Sequence, residues 1–291
     1  MRVGLFPGQG IPSRVVDKAL PDQDPLLSSA EEILGFDVKK KASIAARRPS
    51  ATLPTSLAQP VIFTAGLIAY RNARDTGATW EFFAGHSLGE YAALVAAEAI
   101  SFEDGLRAVA VRGEAMQEAA RAHPGRMAAV LGLGFDDVVD IAGEAQVAVA
   151  NDNAPGQVVL SGGETGLATA AQLARARGGR TVLLDVAGPF HTISMAPAAP
   201  ALKEVLDEID IRPPGVTVVS NVTARPHGSP EEIRSLLIHQ LTDPVHFRES
   251  LEWLWERGAN DYIDFGPGQV AAGLAQKTFD HLTKIKEAAR A

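Results

Sequence analysis

Residues 80–99 read WEFFAGHSLGEYAALVAAEA and carry the strongest structural signal in the chain. The aromatic pair Phe82-Phe83 predicts a buried strand, and the alanine-rich run 90–99, which lacks Pro and Gly, predicts a helix. Between them lies a G-x-S-x-G sequence at 85–89, whose glycines allow a sharp turn. This order predicts that Ser87 projects from a strand–turn–helix as a nucleophile, over a helix N-terminus that stabilises an oxyanion. A serine that only caps the helix is the alternative.

Composition excludes several classes of function. The chain has 291 residues, of which 46% are hydrophobic and 21% are charged, as is typical of a soluble globular protein. It contains no apolar run of membrane-spanning length and no stretch typical of a signal peptide, so we expect a cytoplasmic protein without membrane contact. The absence of cysteine excludes disulfides, thiolate metal ligands and a cysteine nucleophile, and we predict no metal site. The net charge of −8 argues against nucleic-acid binding.

The order of predicted elements indicates two subdomains of an α/β protein. In 126–187, strands are predicted at 127–133, 147–150, 157–160 and 181–186, helices at 136–144 and 165–177, and a turn at 151–156. This βαββαβ order is that of a ferredoxin-like unit. Strands and helices alternate elsewhere, which predicts a mostly parallel sheet with helices on both faces. We therefore expect a hydrolase-like large subdomain (1–125 and 188–291) and an inserted ferredoxin-like small subdomain (126–187).

A serine nucleophile needs a base, and His191 is the best of seven histidines. It follows a predicted strand within Gly188-Pro189-Phe190-His191, and ligand sites in α/β sheets collect where strands end. A purely structural histidine is the alternative interpretation. His86, next to the serine, is interpreted as pocket wall. Asp185 lies between the serine and His191 but inside a predicted strand, so a Ser–His dyad is favoured over a triad.

Two further features are candidates for substrate contact. Arg112 lies among alanines and valines of a predicted helix, and a planar guanidinium suits bidentate binding of a carboxylate. A solvated surface arginine is the alternative. The glycine-rich loop Pro7–Gly10 follows the first predicted strand, where it either presents backbone N–H groups to a site or forms a plain turn.

Taken together, these residues resemble the malonyl-CoA:acyl-carrier-protein transacylases, the acyltransferase family of fatty acid and polyketide synthesis. The resemblance covers nearly the whole chain. Its motifs occur in family order: PGQG (7–10), GHSLGE (85–90), VRGEAMQ (111–117), NDNAPGQVVLSG (151–162), PFHTISM (189–195), SNVTARP (220–226) and QLTDPVHF (240–247). The family's fold combines a hydrolase-like and a ferredoxin-like subdomain, as the predicted elements do.

The resemblance implies a role for each matching residue. Ser87 would take the acyl group from coenzyme A, and His191 would act as base and then as acid. The backbone N–H groups of Gln9 and Leu88 would form the oxyanion hole, and Arg112 would hold the malonyl carboxylate. Substrate-binding or histidine-supporting positions are assigned to His86, Phe190, Gln59, Asn153, Asn221 and Gln240. The backbone carbonyl near Gln240 would orient the histidine.

The resemblance also implies the partners. The substrates would be malonyl-CoA and an acyl carrier protein, no cofactor would be bound, and the protein is expected to be a monomer. Carrier proteins are typically acidic, so docking on a chain of net charge −8 needs a local basic patch, for which Arg175, Arg177 and Arg180 are candidates. A solvated, dipole-complementing helix end is the equally supported alternative.

Three departures from the family pattern bear on the range of substrates more than on the type of reaction. Ile11-Pro12 follows the PGQG loop, Thr192 replaces the common serine, and Gly188 replaces a larger residue, which predicts a roomier acyl pocket. The alternatives are a serine hydrolase or thioesterase, a transferase for methylmalonyl or acetyl groups, and a carrier-binding module without activity. Leu88 and Phe190 resemble the malonyl-selective members.

Overall fold

The computed structural model describes residues 1–47 and 52–290 and shows an α/β protein. The strands are β1 (Arg2–Phe6), β2 (Phe82–Gly85), β3 (Arg126–Leu131), β4 (Ala148–Ala154), β5 (Gln157–Gly162), β6 (Arg180–Leu183), β7 (Thr217–Val219), β8 (Val245–His246) and β9 (Asp261–Asp264). The helices are α1 (Ser13–Ala19), α2 (Pro25–Leu34), α3 (Val38–Ala45), α4 (Thr55–Asp75), α5 (Gly89–Ala96), α6 (Phe102–Ala122), α7 (Phe135–Ala145), α8 (Glu164–Ala176), α9 (Ala199–Glu208), α10 (Pro230–His239), α11 (Phe247–Glu256) and α12 (Val270–Ala288). Short 3₁₀ turns cover Ile193–Ala198 and Pro267–Gln269.

The first sheet has the strand order β7-β2-β1-β9, and all its pairings are parallel. The central strands β1 and β2 are buried on both faces because their residues alternate between two apolar clusters. Phe6 and Phe83 pack with helices α4, α5 and α6, whereas Leu5 packs with α11 and α12. The sheet therefore lies between two helical layers, as the sequence predicts.

The second sheet has the order β6-β3-β5-β4-β8. Its first four strands pair antiparallel and are covered by α7 and α8. This is the strand order of a ferredoxin-like unit, so the predicted fold class is confirmed. The division into 1–125 plus 188–291 and 126–187 stays a prediction, and one strand crosses it: β8 pairs parallel with β4.

The predicted turn at 151–156 is confirmed for 155–156 and wrong for 151–154, because β4 continues to Ala154. Asn and Asp disfavour strands in general, but tertiary contacts outweigh that tendency here. The buried Asp152 carboxylate accepts from the Arg248 guanidinium at 2.8–3.1 Å, and Asn151 pairs in register with Val245 of β8. Register shifts within the β4–β5 pairing accommodate the polar residues.

Among the described residues, no helix combines the length and the apolar character that crossing a bilayer requires.

Replacing Arg248 with methionine should destabilise the protein strongly, because the Asp152 side chain is only 1% exposed and would lose its charged partner. Removing one member of a buried ion pair costs about 3 kcal/mol or more of unfolding free energy. Denaturant unfolding measures the loss. Arg126→Met is the matched control: its ion pair with Glu164 is exposed, so the expected loss is below about 1 kcal/mol. Equal losses in both variants would contradict the assignment.

Candidate active site

Ser87 lies on a turn between β2 and α5, and the positions on both sides of this turn, Gly85 and Gly89, have no space for a side chain. The serine has a φ of +51°, in the left-handed region that side chains rarely adopt. A Cβ on Gly85 would lie 1.9 Å from the Gly89 carbonyl carbon, and a Cβ on Gly89 would lie 2.1 Å from the Phe6 carbonyl oxygen. Both glycines are therefore required by close packing of the turn against β1, and Ser87 is held at its tip.

His191 meets Ser87 from the loop that follows β6. Its Nε2 lies 2.8 Å from Ser87 Oγ, and its Nδ1 lies 2.8 Å from the Gln240 carbonyl oxygen. Because a carbonyl can only accept, Nδ1 carries the proton and Nε2 is free to accept from the serine. Among the described residues no carboxylate contacts His191, so the arrangement is a Ser–His dyad with a carbonyl in the third position.

Burial lowers the pKa of His191 to about 3, and the positive charge of Arg112 acts in the same direction, while the hydrogen bond to Gln240 opposes it. The imidazole is therefore neutral at physiological pH and able to accept a proton.

Asn221, which follows β7, holds the serine turn from the opposite side. Its Oδ1 accepts from the Ser87 N–H at 2.6 Å, and its Nδ2 donates to the Gly85 carbonyl at 2.6 Å. The Ser87 N–H is thus occupied. Within residues 1–47 and 52–290, the N–H groups of Leu88 and Gln9 donate no hydrogen bond. These two backbone groups remain available to an oxyanion.

Arg112 is buried beside the nucleophile, with 1% of its surface exposed. Its Nη2 donates to Ser87 Oγ at 3.0 Å and to Gln240 Oε1 at 2.8 Å, and its Nη1 donates to Gln59 Oε1 at 2.7 Å. Among the described residues no carboxylate lies within ion-pair distance of this guanidinium. A buried cation with neutral partners next to a nucleophile suits an anionic substrate group, since unpaired buried charge is costly. The alternative of a solvated surface arginine is wrong.

The remaining predicted residues line a cleft of about 240 Å³ between the two sheets. His86 Nε2 hydrogen-bonds Asn153 Oδ1 at 2.7 Å, and the His86 ring packs edge-on against Phe247. Phe190, which is 2% exposed, and Gln9 line the same cleft as Ser87 and His191. The expected enlargement at Gly188 is wrong. A Cβ there would lie 2.3 Å from the Cβ of Ala120 in α6, so this glycine serves packing and not cleft volume.

The three candidate docking arginines do not act as one patch. Arg177 is paired with Glu144 and hydrogen-bonds the Asp137 carbonyl, both on α7. Arg175 and Arg180 instead line a separate groove of about 600 Å³, together with Arg126. Carrier docking at these residues stays a prediction.

This groove lies on the face of the second sheet opposite to the cleft. Ala128 of β3 lines the groove, whereas its neighbours Met127 and Ala129 line the cleft, and successive residues of a strand face opposite sides. A carrier protein docked on Arg175 and Arg180 would therefore reach Ser87 only around the edge strand β6.

Sequence reasoning missed Glu90 and His227. Both side chains are fully buried beneath the serine turn, with Glu90 Oε1 2.7 Å from His227 Nε2. A carboxylate directly before the apolar run 91–97 was the available signal for Glu90. His227 follows the SNVTARP motif, but nothing in the sequence pairs it with Glu90.

Residues 26–291 match the family described as acyl transferase domain. The chain belongs to the acyl transferase family. A malonyl CoA-acyl carrier protein transacylase of Bacillus subtilis (strain 168) is 40% identical over 291 residues, with coverage of 97% of this chain and 91% of that protein. Similar solved structures include an acyl-carrier-protein S-malonyltransferase of Burkholderia pseudomallei 1710b, with a TM-score of 0.88 and 36% identity over 95% of this chain and 92% of that one.

A second similar structure is a malonyl-transacylase in complex with its type II PKS acyl-carrier protein. It has a TM-score of 0.88 and 32% identity over 96% of this chain and 93% of that one. The resemblance stated from the motifs is confirmed, and the acyl transferase family accounts for the fold over nearly its whole length.

The low pKa of His191 predicts that Ser87 stays reactive in mild acid. Labelling of Ser87 by phenylmethanesulfonyl fluoride should change less than about threefold from about pH 8 to about pH 5, whereas a histidine with an ordinary pKa would lose about 30-fold. Circular dichroism at each pH checks folding, since a buried neutral histidine loses stability as pH falls below 6.5. Ser87→Ala controls for labelling elsewhere, and an inflection near pH 6.5 would contradict the burial argument.

Proposed function

We propose that this protein transfers a malonyl group from coenzyme A, through an acyl-enzyme on Ser87, to the phosphopantetheine thiol of an acyl carrier protein. One observation carries the proposal: Ser87 Oγ lies 2.8 Å from His191 Nε2 and 3.0 Å from Arg112 Nη2. A base and a carboxylate-binding cation thus meet at one nucleophile. Malonyl carries a carboxylate one carbon from the carbonyl under attack, so both groups are used together.

The first half-reaction forms the acyl-enzyme. His191 Nε2 removes the hydroxyl proton as Ser87 Oγ attacks the thioester carbonyl. The carbonyl oxygen becomes an oxyanion bound by the N–H groups of Gln9 and Leu88, at the N-terminus of α5. When the C–S bond breaks, the imidazolium returns its proton to the leaving coenzyme A thiolate, and a malonyl ester remains on Ser87.

The second half-reaction repeats these steps with the carrier thiol. His191 accepts the thiol proton, the thiolate attacks the ester, and Ser87 Oγ leaves and recovers its proton from the imidazolium. The Gln240 carbonyl holds Nδ1–H throughout, so the ring keeps Nε2 directed at the reacting atoms. The reaction uses no resident cofactor, because the thioester itself is the activated substrate.

Acyl-group selectivity follows from the groups that surround Ser87. The Arg112 guanidinium would exchange its hydrogen bond with Ser87 for the malonyl carboxylate, while Gln59 and Gln240 keep it oriented. Phe190 lines the cleft beside His191, where its ring would oppose a methyl branch on the acyl group. We therefore favour malonyl over methylmalonyl and acetyl groups. Monomeric state, cytoplasmic location and direct partnership with a carrier protein belong to this proposal.

Intact-mass measurement tests the acyl-enzyme and separates the alternative functions. With malonyl-CoA, the wild type should gain one malonyl mass, Ser87→Ala should gain none, and His191→Ala should acylate slower by about two to four orders of magnitude. Release of free malonate without an adduct would indicate a hydrolase, and no reaction would indicate a binding module. A single malonyl adduct on Ser87→Ala would show that the nucleophile is another residue.

Arg112→Ala tests the carboxylate clamp. An unpaired buried charge costs about 2–5 kcal/mol, so malonyl transfer should fall by roughly two to three orders of magnitude. Acetyl transfer should be unchanged, because the acetyl group has no carboxylate that would lose its partner. Competition between malonyl-CoA, methylmalonyl-CoA and acetyl-CoA measures the change. Gln59→Ala is a graded control that removes one neutral partner of Arg112. An unchanged malonyl-to-acetyl ratio in Arg112→Ala would refute the clamp.

A further inference from the structure

Gln240 contacts both groups that act on Ser87. Its backbone carbonyl accepts from His191 Nδ1 at 2.8 Å, and its side-chain Oε1 accepts from Arg112 Nη2 at 2.8 Å. Its Nε2 donates to the Ser87 carbonyl at 3.1 Å and to Glu90 Oε2 at 2.7 Å. The position of the base and that of the guanidinium therefore depend on one buried glutamine.

The side-chain amide of Gln240 has two orientations, and Glu90 provides the shortest of the contacts that favour one of them. An ionised carboxylate only accepts hydrogen bonds, and a guanidinium only donates them. With Nε2 towards Glu90 and Oε1 towards Arg112, every contact is satisfied. The reversed amide would place oxygen against the carboxylate and N–H against the N–H groups of Arg112. Without the Glu90 acceptor, Nε2 keeps only its longer contacts with the Ser87 carbonyl at 3.1 Å and Asn221 Oδ1 at 3.4 Å, so the amide is held less firmly.

Glu90 is itself fixed by groups that lie outside the cleft. Its side chain is fully buried; Oε1 lies 2.7 Å from His227 Nε2, and Oε2 accepts from the Asn221 N–H at 3.0 Å. His227 is anchored by its own N–H, which donates to the Val218 carbonyl. Both side chains are 0% exposed, and the polar partners of Glu90 are the protein groups of Asn221, His227 and Gln240.

We propose that Glu90, held by His227, is a positioning residue that fixes the Gln240 amide and thereby sets the preference for acyl groups bearing a carboxylate. The inference rests on the proposed function, because the preference is exerted through Arg112. It assigns selectivity to a pair of residues beneath the nucleophile, on the side away from the substrate. Hydrogen-bond orientation, and not the charge of Glu90, carries the effect.

Two substitutions at Glu90 separate orientation from packing and charge. Glu90→Gln keeps the acceptor for Asn221 and Gln240, and its NH₂ donates to His227 Nε2. His227 can take that tautomer because its Nδ1 has no partner among the described residues. Glu90→Met has similar volume but no acceptor. The measurement is the ratio of kcat/KM for acyl-enzyme formation from malonyl-CoA to that from acetyl-CoA.

The ratio should stay within about twofold of wild type in Glu90→Gln and fall about tenfold in Glu90→Met, equivalent to about 1.4 kcal/mol. Leu206→Ala, a fully buried position of α9, is the control for general destabilisation and should leave the ratio unchanged. An equal fall of the ratio in Glu90→Gln and Glu90→Met, or no fall in Glu90→Met, would overturn the proposal. If Glu90→Met does not fold, His227→Phe is measured in its place and should lower the ratio. An unchanged ratio in His227→Phe would also overturn the proposal.

The Arg112→Ala variant, measured in the same assay, tests the carboxylate clamp separately from the positioning role of Glu90. A lowered ratio in Arg112→Ala with an unchanged ratio in Glu90→Met refutes the positioning role alone. An unchanged ratio in Arg112→Ala refutes the carboxylate clamp and the inference with it. In the Arg112→Ala background, Glu90→Met should have no further effect on the ratio, because its action passes through the guanidinium.

Discussion

The contact of α5 with the end of β1 is the constraint on which the site depends. Gly89 approaches the Phe6 carbonyl so closely that no side chain fits, and Gly85 meets Gly89 in the same way. This packing forces the left-handed backbone at Ser87 and places the N-terminus of α5 beneath its hydroxyl. The first sheet thus provides the reactive geometry, and the loops after β6, β7 and α10 supply the groups that use it.

Burial then sets the electrostatics of the site. It lowers the pKa of His191 to about 3, so that the base is neutral, and it surrounds Arg112 with neutral acceptors. The carboxylate of Glu90 is linked by hydrogen bonds to Arg112 through the Gln240 amide. Because the Arg112 guanidinium forms no direct ion pair with a protein carboxylate, it can still bind an anion.

The sequence predicts those parts of the site that local patterns encode. Ser87 has a strand–turn–helix signature, and His191 follows a predicted strand, so both could be found without a structure. The strand character of 151–154 could not, because it depends on Arg248 and β8, almost a hundred residues away. Glu90 and His227 were missed for the same reason, since 137 residues separate them along the chain. The misjudged Gly188 depends on a neighbour in α6, which no local pattern reveals.

The two-residue strand β8 has a consequence for protein engineering. Segment 126–187 is continuous in sequence and could be taken for a unit that can be exchanged. However, its strand β4 pairs with Val245–His246, and the charge of Asp152 in β4 is neutralised by Arg248, both from the C-terminal part of the chain. A chimera that exchanges only 126–187 between relatives would separate β4 from its pairing partner. The unit of exchange is therefore discontinuous, and a graft must carry 245–248 with it.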